Sequence, residues 1–446
     1  MSAISRSFPA ILLFAAMSCT GDSTPSGRWE GAASAFGASA PLTIDFSRGS
    51  DGELSGRVSM TSETLWVDHP LEQVREGSGR IHFEIAARDR NIARFDGTLR
   101  GDTIRGRIVR GQNVVGVVLH RTGMTPAKSY NTVPTDFTSP DGTHIRGEIL
   151  VPRNATANAP AIVFLHGSGE HSREDMRFYA DLFARNGFVA LLADKRRFGR
   201  NPGDYNYQRL ADDALAGIAE LKRSPVVDPS RIGVLGISEG GWVAPIVAAR
   251  DSALAFVIAL VPSGHTYAEN AIFQASLRLE AAGATREEVT TYRSAIKRVN
   301  DYVRGLSRGL SMPSTVLKSL QLALDSARRI PALRISDLPS LLPRAGDLQE
   351  FRWQALDFDP VPYWKGVKAP VLLVVGELDR NADPRSVQEK IVPAIRGRVK
   401  TSVVRYEGVA HDLMVVRDST HFFFPYPPRG YPDTLTRWAE GVMSHN

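Results

Sequence analysis

Between Gly27 and Gly123 apolar and polar residues alternate with a period of two, as in Ile81, Phe83 and Ile85 against His82 and Glu84. Successive side chains of a strand point to opposite faces, so this alternation predicts sheet with one wet face. Short segments at 42–46, 80–85 and 114–120 are separated by glycines and Asp-Gly turns, and no helix-length apolar period interrupts them. The expectation is a small all-β domain over 27–123, an antiparallel barrel or sandwich of about seven or eight strands.

Beyond a linker at 124–132 the pattern changes. Nearly continuous apolar runs at 161–165, 188–194, 231–238 and 256–262 alternate with helical patterns at 176–186, 209–224 and from the end of the third run to Ala249. Apolar strands separated by helices predict a doubly wound, mostly parallel sheet covered on both faces, an α/β domain spanning 133–446. From 264 to 362 the strand rhythm stops, and Arg-rich helical stretches follow at 268–281, 286–304 and 313–328. Strand pattern returns at 369–377 and 401–406, so the insertion 264–362 reads as a helical cap over the carboxyl edge of the sheet.

Residues 1–19 combine one early basic residue, Arg6, with an apolar stretch at 8–17 that falls well short of the roughly 20 residues a bilayer requires. They read as an export leader rather than a membrane span. The leader ends at Cys19, the single cysteine of the 446 residues, and 20–26 form a polar tether. The setting Ala16-Met17-Ser18-Cys19 resembles the lipobox of bacterial lipoproteins, which implies lipidation of Cys19 and a protein that is periplasmic or held to a membrane by that lipid, and otherwise secreted. The net charge of +6 is spread among acids, with Lys195-Arg196-Arg197 the densest basic group, so no nucleic-acid partner is expected.

Candidate chemistry concentrates at strand ends. Gly236-Ile237-Ser238-Glu239-Gly240 has the form G-x-S-x-G directly after an apolar run and before a helix, which forces Ser238 into a sharp turn that exposes its hydroxyl. A serine nucleophile needs a base, and the base an orienting carboxylate. His411 and Asp379 follow strands in the order such sheets use, ahead of the competitors His421 and His445 and of Glu377 and Asp383. Oxyanion donors are expected at the backbone N–H of Glu239 and in His166-Gly167-Ser168-Gly169, with Ser168 first and Gly169 second. Arg173 and the 195–197 group are candidates for holding a substrate carboxylate, although arginines of this kind are more often structural; Trp242 reads as helix packing. Metal-ligand spacings and phosphate-binding glycine loops are missing, so no cofactor is expected.

Together HGSGE (166–170), GISEGG (236–241), GELD (376–379) and GVAHD (408–412) resemble the α/β-hydrolase superfamily, specifically secreted bacterial esterases and prolyl-oligopeptidase-like hydrolases with an amino-terminal β-rich domain. The chain departs from the D-x-R-G-x-G run of many relatives, because Arg197 stands at the first glycine. The resemblance implies Ser238 as nucleophile, His411 as base, Asp379 as its acid partner, and a small-molecule ester or a peptide as substrate. Three functions follow: a serine esterase forming an acyl-enzyme, a serine aminopeptidase whose anchor for the substrate amino terminus would be Glu239, Glu269 or Glu280, and a surface-anchored binding protein with an inert hydrolase fold.

Overall fold

The computed structural model describes residues 24–60, 66–86, 92–196, 205–416 and 426–444. Residues 1–19, read above as an export leader ending at Cys19, and Arg197, His421 and His445 lie outside these residues. Nine strands occupy the amino-terminal part: β1 (Gly27–Ala35), β2 (Ala38–Arg48), β3 (Leu54–Met60), β4 (His69–Pro70), β5 (Glu72–Gly77), β6 (Arg80–Ala86), β7 (Ile92–Arg100), β8 (Thr103–Arg110) and β9 (Asn113–Gly123). All pair antiparallel in the order β4-β3-β2-β1-β9-β8-β7-β6-β5. Strands β4 and β5 are neighbours in sequence yet stand at opposite ends of that order. Between them the Leu71 N–H donates to the Gly56 carbonyl at 2.8 Å, so the sheet nearly closes on itself into a barrel.

The expected seven or eight strands are nine, because the two-residue β4 is too short to carry any alternation. Alternation along the longer strands sends Trp29, Phe46, Phe83 and Phe95 inward, all fully or nearly fully buried, and Phe83 stacks on Phe95 at 4.5 Å between ring centres. Large aromatic side chains therefore fill the barrel interior as a core.

The second sheet has eight strands: β10 (Tyr130–Thr138), β11 (His144–Pro152), β12 (Ala159–Leu165), β13 (Val189–Ala193), β14 (Val227–Ile237), β15 (Phe256–Leu260), β16 (Val371–Gly376) and β17 (Thr401–Tyr406). Their order is β10-β11-β13-β12-β14-β15-β16-β17. From β13 to β17 every pairing is parallel, and β10 and β11 add an antiparallel edge. Because β10 begins at Tyr130, the first strand of this sheet starts inside the stretch read as a linker. Helices α1 (Arg177–Arg185), α2 (Tyr207–Leu221) and α3 (Gly240–Arg250) cover the sheet. Helix α3 is apolar all round, as suits a helix buried on every side.

Chain direction turns at β12: β13 lies on one side of it and β14 on the other. Loops leaving β12 and β14 therefore diverge and open a crevice at the carboxyl edge, which is where sheets of this class bind ligands. Over that edge, α4 (Tyr267–Ala281), α5 (Arg286–Ser307) and α6 (Ser314–Arg329) form the inserted cap, with a core of its own around Tyr292, Leu279, Val299 and Trp353. Arg57 of the barrel pairs with Asp68 of the barrel at 2.9 Å and with Glu174, just ahead of α1 in the second domain, at 3.4 Å.

Candidate active site

Strand β14 ends at Ile237, and Ser238 turns the chain with φ of +55°, a left-handed conformation that side chains other than glycine rarely adopt. Such a residue costs on the order of 1–3 kcal/mol and persists where its surroundings enforce it. Here the Ser238 N–H is bonded to the Leu260 carbonyl (2.9 Å) and its carbonyl to the Gly241 N–H (2.8 Å). The flanking glycines are demanded by space: a Cβ on Gly236 would lie 2.1 Å from the Gly240 carbonyl oxygen, and one on Gly240 would lie 2.3 Å from that of Leu165. A tight turn between β14 and α3 thus holds the Ser238 hydroxyl at the crevice.

The Ser238 hydroxyl lies 2.9 Å from His411 Nε2, and the His411 Nδ1–H donates to Asp379 Oδ2 at 2.8 Å. Asp379 follows β16, with its side chain almost entirely buried. Its other oxygen accepts the N–H groups of Asn381 (2.7 Å) and Ala382 (2.8 Å), so the carboxylate is fixed in direction and its charge is met by donors. His411 sits on the loop after β17, packed so closely that a Cβ on Gly376 would meet the Val409 and Ala410 carbonyls. Serine, imidazole and carboxylate, distant in sequence, form one hydrogen-bonded line. The competitors stand apart from it: Glu377 accepts the Gly408 N–H, and Asp383 caps a short helix and pairs with Arg385.

The loop after β12 faces Ser238 across the crevice, close enough that a Cβ on Gly167 would be 3.6 Å from the serine Cβ. Gly169 has φ of +99°, and Ser168 and Gly169 both line the space in front of Ser238. His166 is buried, and its Nε2–H donates to the Ala193 carbonyl at 2.7 Å. Burial holds its imidazole neutral, well below the ordinary range. His171 contacts the Ser168 carbonyl at 2.9 Å and the Asp175 carboxylate at 2.8 Å.

Lys195 ties the two halves of the crevice together. Its ammonium donates to the carbonyls of Gly167 (2.5 Å) and Gly169 (3.1 Å) and to Glu239 Oε2 (2.5 Å), the side chain next to Ser238. Tyr205 also donates to Glu239 Oε2, at 2.7 Å. Burial pulls the Lys195 pKa down and the Glu239 carboxylate opposes that shift. Three residues considered for substrate contact thus have another place. Lys195 is committed to this pair, and Arg196 is buried against Asp141 and Asp213. Arg173 holds Asp194 through two nitrogens, at 3.1 and 3.0 Å.

Two cavities share the Ser238 hydroxyl. One of about 310 Å3 runs beneath the cap between Tyr207, Trp242, Tyr267, Phe351 and Asn270. Another of about 1440 Å3 opens past His411 and is bounded by charged groups of both signs, among them Glu280, Arg380, Arg405 and Asp412. Trp242 differs from its expected role of helix packing alone. Its indole N–H donates to the Ser263 carbonyl (2.7 Å), and the ring packs edge-on to Tyr207 as part of the inner wall. Asn270, Tyr267 and Phe351 went unnoticed in the sequence because nothing local marks a cap residue that points toward a distant strand end.

A family model described as the alpha/beta hydrolase family matches residues 162–431. The thiohydrolase aneE of Aspergillus aculeatus is 29% identical over 139 residues, 30% of this chain and 42% of that protein. The esterase EstD of Thermotoga maritima is 22% identical over 307 residues, 66% of this chain and 64% of its own length. Among solved structures, the Pyrococcus furiosus esterase Pf2001 aligns over 71% of this chain and 91% of its own, with a TM-score of 0.41 and 16% identity. The chain spans less than half the length of several curated relatives that it matches.

Proposed function

This chain belongs to the alpha/beta hydrolase family, and from that premise we propose that it is a serine esterase working through an acyl-enzyme on Ser238. The observation that carries the reading is the line from the Ser238 hydroxyl through His411 to a buried Asp379, each link within hydrogen-bonding distance. His411 Nε2 takes the Ser238 proton as the serine oxygen attacks the ester carbonyl carbon, and Asp379 stabilises the resulting imidazolium and holds its orientation. The carbonyl oxygen, now negative, is met by backbone N–H groups of Glu239 and of Ser168 or Gly169, the first of them at the amino end of α3 where the helix dipole favours an anion.

Collapse of the tetrahedral intermediate breaks the bond to the leaving oxygen, which takes the proton from His411 and departs as alcohol. Water then attacks the acyl-enzyme, giving its proton to His411. The second collapse returns that proton to Ser238 and releases the carboxylic acid.

An ester is favoured over a peptide by the state of the candidate anchors. Glu239 is neutralised by Lys195 and Glu269 by Lys390 at 2.7 Å, which leaves only Glu280 of the three on the open cleft. The esterase activity named for EstD supports the same choice. Hydrolysis of p-nitrophenyl acetate by the full chain, compared with Ser238→Ala and with amino-acid nitroanilides, tests it. Ester turnover lost in the variant supports the proposal, and a preference for nitroanilides would replace it with the peptidase.

A further inference from the structure

The two cavities at Ser238 are unequal in size and chemistry, and only one of them contains His411. We infer that the inner cavity receives the acyl group and the outer cleft the alcohol, so that the substrate is a short or aromatic acyl group carried on a large hydrophilic alcohol such as a saccharide. This rests on the acyl-enzyme reading and deepens it.

The direction follows from proton transfer. The leaving oxygen must take its proton from His411 Nε2, within about 3 Å. His411 borders the outer cleft and is not part of the inner wall, so the alcohol departs outward. Ser168 and Gly169 line both spaces, but Glu239 borders only the inner one, so with the carbonyl oxygen turned toward Glu239 the acyl carbon's remaining substituent faces the inner cavity.

Size and the charge of the lining then define each side. About 310 Å3, less than a quarter of the outer cleft, is enough for a butyryl or benzoyl group. Aromatic faces of Tyr207, Trp242, Tyr267 and Phe351 suit a flat or short apolar group. Asn270 adds a polar limit. It is 8% exposed, and its Oδ1 has no hydrogen-bond partner among the described residues, so an alkyl chain pressed against it would leave a buried amide uncompensated. The outer cleft is more than four times larger, and its carboxylates, which outnumber its arginines, offer with them hydrogen bonds to hydroxyls.

Two substrate series on the full chain separate the sides. With p-nitrophenol as the alcohol, kcat/KM should hold from acetate to butyrate and benzoate and fall by about a hundredfold or more at dodecanoate. With acetate as the acyl group, an acetylated oligosaccharide should be hydrolysed as readily as p-nitrophenyl acetate. Ala271→Trp, filling the inner cavity from α4, should lower butyrate and benzoate about tenfold relative to acetate. Leu277→Trp, on the outer cleft, should lower the acetylated oligosaccharide relative to p-nitrophenyl acetate. Equal labelling of each variant by a small fluorophosphonate verifies that its site is folded, and the wild-type series stands without either variant. The opposite pattern, with Ala271→Trp discriminating among alcohols or dodecanoate preferred by the wild type, overturns the assignment while leaving the esterase reading intact. Failure of the wild type on every ester refutes the esterase reading beneath it.

Discussion

Replacing Lys195 by methionine should damage both stability and catalysis, for separable reasons. The Lys195 and Glu239 side chains are 3% and 5% exposed, so their charges are compensated almost wholly by each other, by Tyr205 and by two backbone carbonyls. Removing one partner of such a pair leaves the other charge buried and typically costs about 3–5 kcal/mol. The same change frees the Gly167 and Gly169 carbonyls, whose anchoring fixes the loop opposite Ser238. Displacing one oxyanion donor costs about a hundredfold to a thousandfold in kcat.

Urea denaturation would measure the first effect, and kcat and KM for p-nitrophenyl acetate, corrected for the folded fraction, the second. The double variant Lys195→Met with Glu239→Leu removes the orphaned charge and should regain most of the stability, as apolar replacements of buried pairs commonly do. It should not regain kcat, because nothing replaces the bonds to the loop. A merely structural pair would recover both together. A Lys195→Met protein with kcat within twofold of wild type and stability within 1 kcal/mol would refute the reasoning.

Other outcomes follow from the same geometry. Asp379→Asn should lower kcat by about ten-thousandfold with little change in folding, measured by ester turnover beside circular dichroism, because the amide reverses the donor pattern that orients His411. Phe95→Ala should cost about 3–5 kcal/mol in the barrel while kcat/KM of the remaining folded protein stays unchanged, since the ring belongs to a core remote from Ser238. His166 is held neutral by burial, so below its ordinary pKa of 6.5 the unfolded chain binds a proton that the folded chain refuses, and stability falls with pH. Between pH 6.5 and 5 that cost reaches about 2 kcal/mol, and His166→Gln, which keeps a donor for the Ala193 carbonyl, should show a shallower decline in chemical denaturation. Metabolic labelling with a fatty acid should mark the full chain and not Cys19→Ser if residues 1–19 are a lipoprotein leader; equal labelling of both would contradict that proposal.

The legible parts of this molecule are those where a local rule admits few residue types. The turn at Ser238 excludes any Cβ at Gly236 and Gly240, and that exclusion is written directly into G-x-S-x-G. Buried parallel strands demand apolar runs, so β12 to β17 stand out, and Asp379 and His411 follow from their places after β16 and β17. The strands β10 and β11 carry no such signature: β10, at the sheet edge, exposes most of Asn131–Asp136, Val133 included, and its alternation is lost. The charge pair of Lys195 and Glu239 joins two loops 44 residues apart, and neither residue announces a partner. Lysine beside two arginines reads as solvated surface until the fold buries it. The inner cavity is similarly silent, because its walls come from α2, α3, α4 and a short helix at Phe351 that meet only in three dimensions.

The most direct test of the central claim is to treat the full chain with a fluorophosphonate and locate the adduct by peptide mass spectrometry. The account predicts a single adduct on Ser238, strongly slowed in His411→Ala and absent in Ser238→Ala, in parallel with loss of ester turnover. An adduct on another residue, or ester turnover that survives in Ser238→Ala, would contradict it.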